Sequence, residues 1–168
     1  MPEIILHTTI NAPIELVFDL ARSIDLHQSS LKHTKEKAIA GRVSGLVEEG
    51  ETVTWQARHF MITQHLTSLI TDVKPPHFFA DEMVSGAFKR FRHEHHFSGS
   101  EPGVTTMKDI FDYDSPLGIL GKLADRLFLK RYMTSLLEHR NKVLKKTAED
   151  GSWRELPGLR LRSATLLP

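Results

Sequence analysis

Three histidines occur within six residues, in the segment "RHEHHF" at 92–97. Alternate side chains of a β-strand point to opposite faces, so His93 and His95 share one face while His96 lies on the other. Two imidazoles on one face could bind a metal ion, or one of them could act as a general acid or base beside a carboxylate. The elements around this strand decide between these kinds of chemistry.

A metal site would need a third ligand, and the sequence offers His59 or Asp109 on neighbouring strands. The chain has no cysteine, which excludes Cys-ligated zinc, iron–sulfur centres, disulfides and thiolate catalysis. It also has no phosphate loop, nucleotide fingerprint or nucleophile elbow. Because a His-x-His motif alone has low specificity, the sequence predicts no metal and no other cofactor.

An acid/base hypothesis uses the same residues. His93 or His95 would act as the base, Asp109 or Asp81 would orient it, and Tyr113 would donate a hydroxyl hydrogen bond. Such a group could catalyse an aldol-type ring closure or a dehydration.

Composition restricts the other classes of function. The 168 residues include 40% hydrophobic types, enough for one domain with a sizeable core, and the net charge of +1 gives no overall field for nucleic acid or anionic membranes. No stretch approaches the roughly 18 apolar residues that cross a bilayer, and the first ten residues lack a basic leader. These features predict a soluble, cytoplasmic protein without nucleic-acid binding.

Period-two patterns separated by glycine and proline predict an antiparallel meander, and a three- and four-residue apolar spacing predicts a long last helix. Asn11 is predicted to cap the first helix and Ser23 the second. The predicted elements are strand 3–10, helices 14–22 and 23–31, strands 33–40, 51–59, 61–73, 77–84, 87–98 and 104–114, and a helix from Ser115 to about 146.

The long helix must bury its apolar stripe, and only the sheet offers a large enough apolar face. The predicted fold is therefore α+β: a seven-stranded curved antiparallel sheet around a long C-terminal helix, with two short helices after strand 1. Residues 1–146 form this domain, and residues 147–168 form a tail that is flexible or loosely docked. A sheet that curls around one helix leaves an internal cavity.

Alternation indicates which side chains face that cavity, because Phe91 and Phe97 mark the inner face of strand 87–98 and the same reasoning extends to strands 51–59 and 104–114. In "FFADEM" alternation does not decide whether Asp81 or Glu82 faces inward. The predicted ligand-binding residues are Trp55, His59, Phe91, His93, His95, Phe97, Met107, Asp109, Phe111 and Tyr113.

The segments "APIELVFDLARSIDLH", "GETVTWQARHF", "DEMVSGAFKRFRHEHHF" and "DIFDYDSPLGILGKLAD" resemble the START-like SRPBCC superfamily, also called helix-grip or polyketide cyclase/dehydrase-like. The resemblance covers about residues 3–146 and is strongest to a bacterial subgroup. It implies the helix-grip fold and a cavity. It implies no catalytic residue, since pocket residues differ between branches.

The favoured function is binding of a hydrophobic or amphipathic small molecule, lipid-like or polyketide-like, in the cavity. A cyclase or dehydratase with a His–Asp pair is the first alternative, and a protein-interaction module that uses the tail is the second. The sequence also allows a homodimer.

Overall fold

The computed structural model describes residues 2–59, 61–115, 128–157 and 159. Its elements follow the predicted order: one strand, two short helices, six strands and a long last helix. They are β1 (Glu3–Ile10), α1 (Ile14–Ala21), α2 (Ile24–Ser30), β2 (Lys37–Gly41), β3 (Thr52–His59), β4 (Ile62–Lys74), β5 (Phe78–Ser85), β6 (Arg90–Glu101), β7 (Val104–Asp114) and α3 (Lys130–Asp150).

All seven strands form one curved antiparallel sheet in the order β1-β7-β6-β5-β4-β3-β2. The β5–β6 register places Asp81 opposite His93, and the β6–β7 register places His95 opposite Asp109. Directly opposed residues project to the same face of a sheet. The four titratable side chains therefore lie together on one face, the face that α1 and α3 cover. The predicted α+β helix-grip class is confirmed.

The helix caps differ in part from the prediction. Ser23 caps α2 as predicted, since its hydroxyl accepts a hydrogen bond from the Leu26 amide at 3.2 Å. Asn11 does not cap α1, because the chain enters that helix through Pro13 and makes no side-chain cap there. The backbone N–H of Asn11 instead donates to the Glu149 carboxylate at 2.9 Å, which connects the start of α1 to the end of α3.

Strand β2 begins later than predicted. Residues Lys32–Thr34 form a turn of 3-10 helix, and the Thr34 hydroxyl donates to the Leu31 carbonyl at 2.8 Å. Local hydrogen bonding of this kind competes with strand pairing. The predicted strand from residue 33 therefore begins only at Lys37.

A dry core lies between α1 and the β6–β7 end of the sheet. Phe18 of α1 makes edge contacts with Phe79 and Phe97, at centroid distances of 6.0 and 5.5 Å. Leu144 of α3 and Met107 of β7 are buried in the same cluster. Aromatic edge contacts and tight packing hold this end of the domain closed.

Helix α3 ends at Asp150, past the predicted end near residue 146. Thr147 and Ala148 continue its buried face, so the predicted boundary between domain and tail falls inside the helix. The sequence did not predict this extension, because "KKTAED" contains no large apolar residue. Thr147 and Ala148 are small residues that can be buried where the helix packs closely against its neighbours. Leu159 is also buried in the dry core. Residues 116–127, which belong to the predicted helix, and 160–168 of the predicted tail lie outside the described residues. Within the described ranges, no helix is long and apolar enough to cross a membrane.

Replacement of Leu144 by alanine tests how α3 is attached to the sheet. The Leu144 side chain is 2% exposed, and Leu→Ala changes at buried positions lower the free energy of unfolding by about 2–5 kcal/mol. We expect a loss in that range by urea unfolding followed by circular dichroism. The exposed Lys142→Ala on the same helix is the control, and equal losses in both variants would show that α3 is not held by this contact.

Candidate functional site

A cavity of about 270 Å³ lies between α3 and the face of β3–β7, at the opposite end of the sheet from the dry core. Its walls are mainly apolar and come from these five strands, from α2 and from α3. They include Trp55, Leu66, Phe91, Phe111, Met133 and Leu137. The sheet and the helix thus enclose a space that side chains do not fill.

One group of polar side chains at the cavity, here called the Glu36 cluster, comprises His27, Glu36, His59, Tyr132 and Arg140. The His27 ring lies 2.6 Å from the Glu36 carboxylate, and the His59 Nδ1 lies 2.8 Å from the Tyr132 hydroxyl. Burial raises the pKa of Glu36, but the opposing effects of His27, His59 and Arg140 hold this pKa below its usual value. The carboxylate therefore stays charged at neutral pH.

The other members of this cluster respond to burial. The pKa of His59 is lowered by burial, and the pKa of Tyr132 is raised by burial and by the Glu36 charge. Arg140 is buried, lines the cavity and donates to the Ala21 carbonyl at 3.1 Å. It brings a positive charge into the otherwise apolar cavity wall.

A second polar group, here called the Asp109 cluster, comprises Asp81, His93, His95, Asp109 and Asn141. The His95 Nδ1–H donates to one Asp109 oxygen at 2.6 Å, and the Asn141 amide donates to the other at 2.6 Å. The His93 Nε2 lies 3.5 Å from Asp109, too far for a good hydrogen bond. Burial raises the pKa of Asp109, but the two histidines outweigh it and hold this pKa well below its usual value. Asp109 is therefore a buried carboxylate anion.

His93 occupies the wall of the cavity and is only 7% exposed. Burial, with the nearby His95, lowers the pKa of His93 to about 4. The ring is therefore uncharged at neutral pH. Its Nε2 has no hydrogen-bond partner among the described residues.

The structure decides the orientation that alternation left open in β5. Asp81 lines the cavity, and its carboxylate lies 3.8 Å from the His95 Nε2. Glu82 points to the other face and forms an ion pair with Arg92. Burial raises the pKa of Asp81, but the nearby His95, His93 and Arg140 hold this pKa below its usual value.

The predicted inward faces of β6 and β7 are confirmed by burial, but depth divides the predicted residues into two sets. Trp55, His59, Phe91, His93 and Phe111 line the cavity. The remaining members are packed away from it: His95, Phe97, Met107, Asp109 and Tyr113.

Packing explains the second set. Phe97 and Met107 belong to the dry core under α1, and Tyr113 belongs to an aromatic cluster with Phe91 and Phe111. His95 and Asp109, each 1% exposed, lie behind the cavity wall. Binding of a ligand by any of the ten remains a prediction.

Sequence reasoning missed the Glu36 cluster except for His59. His27 lies on α2 and Glu36 in the turn before β2, so no local pattern connects them. Arg140 was accessible to prediction, since it follows Met133 and Leu137 at the spacing of one helix face. A charged residue within an apolar helical stripe indicates a polar group that faces the interior of the domain.

Solved structures provide matches to the whole fold. A protein of Thermus thermophilus aligns with a TM-score of 0.71 and 20% identity, over 88% of this chain and 97% of that protein. A START superfamily protein from Mycobacterium smegmatis aligns with a TM-score of 0.67 and 12% identity, over 87% and 96% of the two chains. A point mutant of norcoclaurine synthase from Thalictrum flavum, in complex with a transition-state analogue, aligns with a TM-score of 0.61 and 12% identity, over 85% of this chain and 93% of that protein.

No protein-family model matches the chain, and no curated protein matches it. The likeness to solved structures is thus one of fold, and it confirms that the chain has the START-like helix-grip fold. At these identities it transfers no site residue.

The buried neutral state of His93 predicts a dependence of stability on pH. A histidine whose pKa falls from about 6.5 in the unfolded chain to about 4 in the folded protein stabilises the fold fully above pH 6.5. This contribution, on the order of 2–3 kcal/mol, is lost as the pH falls from 6.5 to about 4. The carboxylates whose pKa is lowered, such as Asp81 and Asp109, also stabilise the fold, and their contribution is lost at still lower pH.

We therefore expect the free energy of unfolding to fall less between pH 7 and pH 4 in His93→Asn than in the wild type. Urea unfolding at the two pH values measures the difference. The exposed His7→Asn serves as the control, and a wild-type pH profile retained in His93→Asn would contradict the assignment.

Proposed function

We propose that the protein binds a hydrophobic or amphipathic small molecule in the cavity under α3. The single observation that carries this proposal is a volume of about 270 Å³ whose surface is mainly apolar, with polar side chains gathered in two clusters. Small-molecule sites typically combine a largely apolar cavity of about 300 Å³ or more with a few well-placed polar groups. The cavity is close to the lower end of that range.

The Glu36 cluster suits the polar end of such a ligand. Arg140 donates hydrogen bonds, Glu36 accepts them, and Tyr132 does both. A molecule with an apolar body and a hydroxyl or carbonyl group could form further hydrogen bonds with these side chains while its body lies against Trp55 and Phe91. A lipid-like or polyketide-like compound fits this description.

The fold supports this proposal in general terms. The norcoclaurine synthase with the same fold was solved with a small molecule, a transition-state analogue. This likeness supports the proposal that the present domain binds a small molecule. The chemistry of the ligand for this chain comes from the cavity walls alone.

The acid/base alternative has weaker support. With a pKa lowered to about 4, His93 is a poor general base at neutral pH. His95 is better oriented, by its 2.6 Å bond to Asp109, but it does not line the cavity. Tyr113 is fully buried away from the cavity, so the predicted hydroxyl donor cannot reach a ligand there.

The remaining predictions do not alter this proposal. Residues 158 and 160–168 of the predicted tail, which would serve an interaction module, lie outside the described residues. The cytoplasmic location, the homodimer and the absence of nucleic-acid binding remain predictions.

Filling the cavity should abolish binding without disturbing the sheet. Ala57 of β3 lines the cavity, so Ala57→Phe places a ring in the ligand volume. We expect the dissociation constant of the fluorescent probe 1-anilinonaphthalene-8-sulfonate to increase at least tenfold. This corresponds to a loss of roughly 1.4 kcal/mol of binding free energy. Native mass spectrometry of the freshly purified wild type should show a co-purified apolar molecule that the variant lacks.

The matched control is Ala40→Phe, at an exposed position of the neighbouring strand β2. It adds the same side chain outside the cavity and should leave the probe affinity unchanged. Equal affinity of the probe for Ala57→Phe and the wild type would refute binding in this cavity.

A further inference from the structure

Three potential metal ligands converge at the sheet wall of the cavity. One ligand atom from each of Asp81, His93 and His95 lies within 4.8 Å of the other two. The third residue is neither His59 nor Asp109, the two that sequence spacing suggested. We propose that Asp81, His93 and His95 form a binding site for one divalent transition-metal ion of the Zn²⁺ or Co²⁺ type.

The strand register brings these ligands together. His93 and His95 are two residues apart on one face of β6, with ring centroids 4.0 Å apart, and Asp81 lies opposite His93 on β5. Metal–ligand bonds of about 2.0–2.2 Å place neighbouring ligand atoms roughly 3.3 Å apart in a tetrahedron. The 3.8 Å between Asp81 and the His95 Nε2 requires only a small contraction. The Asp81 side chain is partly exposed and can rotate to make it.

The surroundings of His95 support a metal-binding role. Its Nδ1–H donates to the buried Asp109, so the Nε2 is directed toward Asp81. Histidines that bind metals almost always donate their other ring N–H to a carboxylate or carbonyl in this way. Asn141 holds the second oxygen of Asp109, and Phe79 stacks on the His95 ring at 4.2 Å. The ring is thus held in position before any ion binds.

Two further observations point to a cation. The His93 Nε2 is buried without a hydrogen-bond partner among the described residues, so this ring nitrogen is available to a ligand. The carboxylates of Asp81 and Asp109 bring two negative charges to this wall, and Arg140 brings one positive charge nearby. A divalent ion would compensate the excess negative charge.

The site would be open on one side. Asp81 and His93 line the cavity whereas His95 closes the site from behind, so the ion would face the cavity with a free coordination position. Three protein ligands with an open fourth position are the arrangement of reactive zinc sites, in contrast to closed structural ones. This inference goes beyond the proposed function, because an ion could bind whether or not an apolar molecule does.

The test titrates the chelator-treated full chain with Co²⁺ near neutral pH, followed by visible absorption and by calorimetry, with Zn²⁺ as competitor. We expect one equivalent of Co²⁺ to bind with the absorption of a low-coordinate site, and Zn²⁺ to displace it. Asp81→Asn and His93→Asn should each weaken binding at least tenfold. Asp81→Asn keeps the size of a partly exposed side chain, so it tests the ligand without relying on a buried substitution.

The control is His96→Asn, which removes an imidazole from the same strand but from its opposite face, where His96 lies beside Glu94. It should bind Co²⁺ as the wild type does. Circular dichroism of the metal-free variants checks that each is folded. No stoichiometric binding to the wild type, or equal binding by the wild type and Asp81→Asn, would overturn the proposal.

The fluorescent probe measured on the same metal-free samples separates this result from the proposed function. Probe binding without Co²⁺ binding would leave the apolar cavity in place and remove the metal site. Co²⁺ binding without probe binding would support the metal site and refute binding of an apolar molecule in the cavity.

Discussion

A carboxylate buried in the middle of an antiparallel sheet must be compensated, and Asp109 imposes this requirement on the whole domain. Its oxygens accept hydrogen bonds from His95 on the adjacent strand β6 and from Asn141 on α3, both at 2.6 Å. Loss of one partner of a buried charge typically costs about 3–5 kcal/mol. Strands β6 and β7 and the last helix are therefore held in one relative position, the position that leaves the cavity beside them.

The same face of the sheet serves two purposes along its length. Near α1, the rings of Phe18, Phe79 and Phe97 interlock and exclude space. Toward β3 and β4, α2 and α3 cover the sheet, with His27 of α2 stacked on Trp55, and these two helices do not fill the volume inside the curved sheet. The dry core thus provides stability at one end, while the other end retains a space of about 270 Å³.

The polar groups at this space come from distant parts of the chain. His27 is on α2, Glu36 precedes β2, and Arg140 is on α3, yet they meet at one cavity. The Asp109 cluster instead comes from three adjacent strands and the helix. Two polar regions in one apolar cavity allow a ligand to be oriented at one and, if a metal ion is present, contacted at the other.

The sequence by itself determined the order of the elements and the inner faces of β3, β6 and β7, because hydrophobic alternation and helical spacing are local properties of the chain. It could not show how deep an inward side chain lies: His93 reaches the cavity and His95 does not. Nor could it choose between Asp81 and Glu82, since both phenylalanine-led alternations in β5 are equally apolar. The tertiary structure decided these points, because cross-strand register and the placement of α1 and α3 determine which inward side chains are covered and which border open space.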